Sequence, residues 1–542
     1  TYQAGTWNSY KFEHALWGGG SLSQVHQDFV HALLAGKPFD IGGDAGSRAI
    51  RVVEATRKAA LTGKRLSEGI QDPLTATAWA LESGKEQAVW VSCDLIHISD
   101  ELLGAVRTRL RNQAADLDPL KVVMNATHTH TAPPIGKHVS AADHIPGGRS
   151  RVELTALSIE EYVSWAADRI ARAAARAWST RAPGGIGFGE GTAVVGHNRR
   201  WVNEDGRTTM YSSDAQDKQR RSAKAMSDDR SFYQVDPESE STFRHVEGYA
   251  DHSVQLLATY DADGKLTGLV TNVPCPAQEG EDGFSVSADW WHETRMELRR
   301  RFGEGLFVLP QCSAAGDISP HLLYEASAHV RMLGLKGRTE REEIACRIAD
   351  AASDVLPYIR QAIDWNPVLG HSVETVALQS NMLTEEEARE AENEAERWKE
   401  QWEKERRRLE DDPKLQEQPR WYVDLTYAYG RMHAMRGIVD RFGNQHIRSA
   451  YLSEIHAVRL GDVAFATQPF ECYLDFGVQI KVRSPAVQTF LIQLAGGGTY
   501  LPSPRSVRGG GYGSTAASNP VGPEGGQQLV EFTVQKLRSM WE

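Results

Sequence analysis

Apolar positions along this chain fall into short runs separated by longer amphipathic stretches. Ala88-Val89-Trp90-Val91-Ser92-Cys93-Asp94-Leu95 reads as a buried strand. From Glu101 to Arg111, the residues Leu102, Leu103, Val106 and Leu110 recur at helical spacing and mark one apolar face. Lys121-Val122-Val123-Met124-Asn125-Ala126 is the next strand, so this order predicts a βαβ unit. Further on, the pattern predicts a long Ala/Arg-rich helix over Glu153 to Trp178, a glycine-punctuated hairpin over Gly184 to Gly196, and a polar loop over 204–247. Val254 to Tyr260 and Leu266 to Val273 flank Asp261-Ala262-Asp263-Gly264, a hairpin signature. Helices are expected at Trp290 to Phe302 and over 338–364, with strands at Leu306 to Leu309, Ile455 to Leu460 and Val463 to Thr467. A final helix begins near Gly526, and no internal repeat is visible.

Residues 384–412 break this rhythm. Thr384-Glu385-Glu386-Glu387 has the form of a capping box, and the stretch after it is dense in Glu, Arg and Lys. The spacing predicts an exposed helix that stops near Asp412-Pro413, part of a helical hairpin inserted at about 384–440. A solvated insertion is the plain reading; a lid or a homo-oligomer contact is the sharper one. The whole reads as one large mixed α/β (α+β) domain over residues 1–542.

Composition narrows the function classes. The 542-residue chain carries a formal net charge of −12, which argues against nucleic acid as its partner. No apolar run is long enough to span a membrane. Thr1-Tyr2-Gln3-Ala4 lacks the features of a signal peptide, so the expectation leans to the cytoplasm. The five cysteines are scattered, with no CxxC, and read as buried thiols rather than a disulfide framework.

Two segments carry candidate chemistry. Asn125-Ala126-Thr127-His128-Thr129-His130-Thr131-Ala132-Pro133 places an HxH pair directly after a strand. Neutral imidazole is the commonest metal ligand, and a neighbouring one can act as a base. Strand-end histidines also serve simply as hydrogen-bonding groups. Gln311-Cys312-Ser313-Ala314-Ala315-Gly316-Asp317-Ile318-Ser319-Pro320-His321 again comes directly after a strand. Its small residues permit a tight turn where a hydroxyl and exposed amides coexist. A turn merely capped by Asp317 and Ser319 is the bland reading.

Taken together, these segments resemble the catalytic domain of the neutral ceramidases. Thr127-His128-Thr129-His130-Thr131-Ala132-Pro133 is similar to that family's His-Thr-His-Ser-Gly-Pro, and Gly316-Asp317-Ile318-Ser319-Pro320 to its Gly-Asp-Val-Ser-Pro-Asn. Asn198-Arg199, Ser287-Ala288-Asp289, Gln468-Pro469-Phe470-Glu471 and Thr499-Tyr500-Leu501-Pro502 resemble further family segments in the same order. The resemblance implies a hydrolase in which His128, Glu471 and Tyr500 bind zinc, Ser319 and His130 sit beside it, and Arg199 holds an anionic group. Asp317 joins Ser319, His130 and Arg199 as a candidate catalytic residue.

One departure weakens the zinc expectation. The family's other metal histidine lies in a segment like Asn-Phe-Ala-Cys-His-Pro-Thr, and here Asn272-Val273-Pro274-Cys275-Pro276-Ala277-Gln278 has Pro276 at that place. Three readings stay open: another ligand replaces it (His292 first, Cys275 second), the metal differs or binds weakly, or the centre works without metal. The family's C-terminal β-sandwich is expected to be absent. Trp290-Trp291-His292-Glu293 is bulkier than the family's segment, so Asp289, Trp290 and Trp291, with His97 and His197, are candidate substrate contacts. His138 and His144 are candidate entry residues. The substrate is then a small molecule, a lipid amide or something sugar-containing and more polar than ceramide. Two rivals remain: a glycoside hydrolase using Asp289, Glu293, Asp317 and Glu471, and a non-catalytic binding protein on the same fold.

Overall fold

A computed structural model describes residues 69–135, 159–210, 243–281, 285–417 and 421–542. His138 and His144 lie outside them. The first sheet joins β1 (Ala76–Ser83) antiparallel to β2 (Glu86–Cys93), and β2 parallel to β3 (Val122–Ala126). Helix α1 (Asp100–Gln113) is the crossover between β2 and β3, so the βαβ unit forms as expected. Ser99 caps it through Leu102 N, and Leu102, Val106 and Leu110 form its buried face. Helix α2 (Ile159–Ser179) packs beside it.

The second sheet has the order β7-β6-β5-β4, built from β4 (Gly184–Thr192), β5 (Ser253–Asp261), β6 (Leu266–Val273) and β7 (Phe307–Cys312). Helix α3 (Trp290–Phe302) links β6 to its parallel neighbour β7. Helix α4 (Ala326–Lys336) precedes α5 (Glu340–Ile359), and α5 packs over this sheet with α3. The third sheet runs β8 (Leu369–Gln379), β9 (Ala450–Leu460), β10 (Val463–Thr467) and β11 (Gln488–Ile492). Between β8 and β9 stand α6 (Glu385–Asp411) and α7 (Val423–Asn444), the charged insertion, with the Thr384 capping box present. Gln445 closes its base by bonding both the N–H and the C=O of Leu383. Helix α8 (Leu474–Arg483) connects β10 to its parallel neighbour β11, and α9 (Pro523–Ser539) packs against α8. No described helix is long and apolar enough to cross a membrane.

All three sheets contribute to one central cluster, with Trp79, Trp90, Val270, Leu309, Phe465 and Phe490 fully or nearly fully buried in it. Buried amides tie the strand ends together: Asn125 Nδ2 donates to Pro310 O at 3.3 Å and Asn272 Nδ2 to Leu491 O at 2.7 Å. Each such bond contributes about 1 kcal/mol net, but an unpaired buried amide would cost more, so the bonds fix how the sheets meet. The parallel pairs β2/β3, β6/β7 and β10/β11 matter for function. Loops leaving the carboxyl ends of parallel strands converge where open α/β sheets bind their ligands.

Two local expectations change. Gly184 to Gly196 is no hairpin: residues 184–192 form the single strand β4, paired along β5. A Cβ at Gly187 would meet Ile359 Cγ2 at 2.7 Å and one at Gly191 would meet Ala351 at 3.0 Å, so the alternate glycines let α5 lie close against the strand. The polar 204–247 stretch, where described, contributes strands Thr208–Met210 and Phe243–Val246, which flank Arg200–Asn203.

Candidate active site

The site is assembled from strand-end loops. After β3 the chain turns at His128, whose φ of 66° is left-handed and unusual for a residue with a Cβ. That turn brings the His128 and His130 rings to 4.8 Å between centroids, nearly perpendicular. After β10, the two-residue strand Glu471–Cys472 pairs in parallel with Tyr500–Leu501, so Glu471 and Tyr500 are register neighbours. After β7, the Gly-Asp-x-Ser loop lies against Glu471. A Cβ at Gly316 would stand 2.3 Å from Glu471 O, so glycine is required by contact there. Arg199 enters from a neighbouring segment, with its N–H donating to Asp317 O.

These loops bring His128, His130, Arg199, Glu471 and Tyr500 together. His128 Nδ1 sits 2.6 Å from Ile96 O, and its Nε2 faces Glu471 Oε2 at 3.3 Å. The Arg199 guanidinium is buried. It donates to Tyr500 Oη and Gly316 O, each at 3.0 Å, and to Gln278 Oε1 at 3.2 Å, and it stands 3.9 Å from Glu471 Oε2. Burial would raise the Glu471 carboxyl, but His128 and Arg199 beside it hold it down at about 2. Burial drives the Tyr500 phenol well above its ordinary value, so it stays protonated.

A second half of the site escaped the sequence reading. His130 Nδ1 faces Glu281 Oε2 at 3.7 Å, and His321 Nε2 faces Glu281 Oε1 at 3.6 Å. Gln278 Nε2 donates to Glu281 Oε2 at 2.5 Å. Burial opposes the charge on Glu281, yet His321, His130 and Gln278 hold it at about 2. Burial, with His128 nearby, lowers His130 to about 3, so its ring is neutral at physiological pH. His130 Nε2 is buried and has no hydrogen-bond partner among the described residues. A signal for these residues did exist. Gln278 ends the segment aligned with the family's missing histidine, and His321 ends the Ser319-Pro320-His321 run.

Other candidates fall elsewhere or take other work. Ser319 is buried, pairs by its backbone with His197, and accepts the His321 N–H at 3.1 Å through Oγ; no hydrogen bond joins it to His130. Asp317 accepts Leu474 N at 2.9 Å and Asn198 Nδ2 at 3.0 Å, which anchors the start of α8, and burial raises it to about 6. Asp289 caps α3 and accepts the N–H groups of Glu279 and Gly280, so it positions the Gln278–Glu281 loop. Asp289 and Asp317 thus both accept backbone N–H groups at the starts of helices, while Glu293, the other carboxylate of that group besides Glu471, lines the cavity beside the site. Trp290 and Trp291 are 0% exposed and belong to the core, where burial of two indoles outweighs presenting one to a ligand. His292 lines a groove with Thr75, Met296 and Arg300 that includes none of His128, Glu471 and Tyr500. His97 is half-buried on the turn that supplies Ile96 O. His197, lowered to about 4 chiefly by burial, lines a separate cavity with His329 and Arg347.

The expected zinc set is incomplete among the described residues. His128 and Glu471 could share a cation, but Pro276 offers no donor and its carbonyl is held by Trp290 Nε1 at 3.0 Å. Cys275 is fully buried, with Sγ toward Pro276 O. No three His, Cys, Asp or Glu side chains among the described residues form a metal-holding group. The residues present therefore do not fit the family's metal shell.

A cavity of about 680 Å³ adjoins the site through Thr131 and His321. Glu279, Glu293, Leu322 and Leu333 also line it. No protein-family model matches the sequence, and neither does any curated protein. Among solved structures, the chain is similar to a neutral ceramidase from Pseudomonas aeruginosa, with 15% identity and a TM-score of 0.56 over 87% of this chain and 69% of that one. The fold is neutral-ceramidase-like. A ceramidase described as complexed with C2 is similar to the same degree, with 15% identity and a TM-score of 0.56 over 88% of this chain and 71% of that one.

Proposed function

We propose that the protein is a hydrolase of amide or ester bonds in a small molecule that combines polar and apolar parts. The observation that carries this reading is the buried pairing of a neutral His130, its Nε2 open, with an ionised Glu281 behind Nδ1. Glu281 orients the imidazole with Nδ1–H toward itself, which leaves the Nε2 lone pair to take a proton. Their 3.7 Å separation is looser than a hydrogen bond, as catalytic contacts often are before substrate binds. The proton comes from a water molecule or from the Ser319 hydroxyl. Arg199 and Tyr500 provide donors for negative charge developing on the carbonyl oxygen.

The adjoining cavity supports a mixed substrate, because carboxylates and histidine share its wall with Leu322, Val330 and Leu333. Wild-type protein should turn over members of a panel of N-acyl amphiphiles and short acyl esters. His130→Asn should lose on the order of 10²- to 10⁴-fold in rate, the usual worth of a general base. Unchanged turnover in His130→Asn would remove this reading. Ser319→Ala separates the two nucleophiles: loss of turnover assigns the hydroxyl, and retention assigns water.

A further inference from the structure

We infer that the Arg199 guanidinium, not a divalent metal ion, is the resident cation that organises Glu471 and Tyr500. This deepens the hydrolase reading and rests on it for its catalytic meaning, but the placement of the charge can be tested by binding alone.

Arg199 is 2% exposed, so its charge is compensated by its immediate neighbours. Its partners are Tyr500 Oη, Gln278 Oε1 and Gly316 O, with Glu471 Oε2 at 3.9 Å. Each comes from a different strand-end loop, so a single planar group gathers the walls of the site. A metal at His128 and Glu471 would draw on the same Tyr500 oxygen that now accepts a guanidinium hydrogen. It would also place a second positive centre beside the first in a buried setting, where like charges repel strongly.

The fourth corner points the same way. The loop that would supply the second imidazole carries Pro276 instead, and Trp290 fixes that loop through the Pro276 carbonyl at 3.0 Å. From the same loop Gln278 presents an amide oxygen, a good acceptor for a guanidinium and a poor substitute for imidazole on zinc. At this one corner the loop thus offers an acceptor suited to a fixed fork of N–H groups where the family segment offers a metal ligand. Chemically, such a fork stabilises an oxyanion in place but does not acidify water, so proton removal is left to His130.

The test is zinc binding to the full-length chain, by calorimetry and by metal analysis after dialysis against zinc. Wild type should take up no zinc that depends on His128 or Glu471. Arg199→Met removes the charge but keeps the bulk, leaving His128, Glu471 and Tyr500 without a cation. It should bind zinc at least tenfold more tightly than wild type, and adding His128→Ala should abolish that gain. Arg199→Lys retains a charge and should behave as wild type, which covers the case in which the Met variant does not fold. One equivalent of zinc on wild type, lost in both His128→Ala and Glu471→Gln, overturns the inference. So does equal affinity in wild type and Arg199→Met, or tight zinc uptake by Arg199→Lys. None of these readouts requires turnover, so failure of the hydrolase reading shows separately.

Discussion

In α6, residues that pair lie three or four positions apart, as Arg407 and Glu403 or Lys399 and Glu396 do. In the active-site cluster, Arg199 and Tyr500 meet across 301 positions. The first kind of contact is a consequence of helical geometry once the backbone is set. The second exists only after three sheets have closed and their strand-end loops have met. Energetically they also differ: the helix pairs are mostly solvated and individually weak, whereas the site pairs are desolvated and strongly coupled. Substitutions in the two regions should therefore separate cleanly, function and large stability losses on one side and small increments on the other.

The largest effect should come from removing charge inside the site. Glu471→Gln should lower turnover on the order of 10²- to 10³-fold, because Arg199 and Tyr500 lose the group that positions them. Steady-state rates on the amide and ester panel measure this. Next comes the buried Arg295–Asp94 pair, where both terminal guanidinium nitrogens donate to the carboxylate, at 2.9 and 2.8 Å. Arg295→Met leaves Asp94 buried and uncompensated, and should cost about 3–5 kcal/mol in denaturant unfolding.

The site itself also sets a pH dependence. His130 is lowered to about 3 in the folded chain, so the unfolded chain binds more protons between that value and its ordinary 6.5. Stability should fall as pH drops through that window. Glu281 and Glu471, held at about 2, add a further loss as pH falls from about 4.5 toward 2. Chemical denaturation at pH 4 and pH 7 should show a smaller difference for His130→Asn than for wild type. In the hairpin, Thr384→Ala removes a capping box and should cost about 1 kcal/mol. Arg407→Ala breaks one exposed pair and should shift stability by less than about 0.5 kcal/mol.

The same contrast explains what could be read from the sequence. Local rules were enough for α6, whose start at Thr384 and stop at Asp412 are set by capping and by Asp412-Pro413. They were enough for the βαβ unit and for the hairpin at Asp261 to Gly264. Motif resemblance drew attention to His128, His130, Arg199, Glu471 and Tyr500, which the fold brings together. It passed over His321, although that residue ends the Ser319-Pro320-His321 run, and it could not find Glu281, whose role depends on a meeting of loops. It also placed Trp290, Trp291 and Asp289 toward substrate, when the demands of core packing and helix capping were the stronger. Gly185, Gly187, Gly189 and Gly191 looked like turn residues, but they are the space into which α5 and the segment after it fit.

The coupling of His130 to Glu281 is the most direct point of attack, and a double-mutant cycle on kcat/KM measures it. If the imidazole and the carboxylate act as one proton-handling unit, His130→Asn with Glu281→Gln will be little worse than His130→Asn alone. If the two losses simply add, Glu281 does not orient His130, and the proposed centre is wrong.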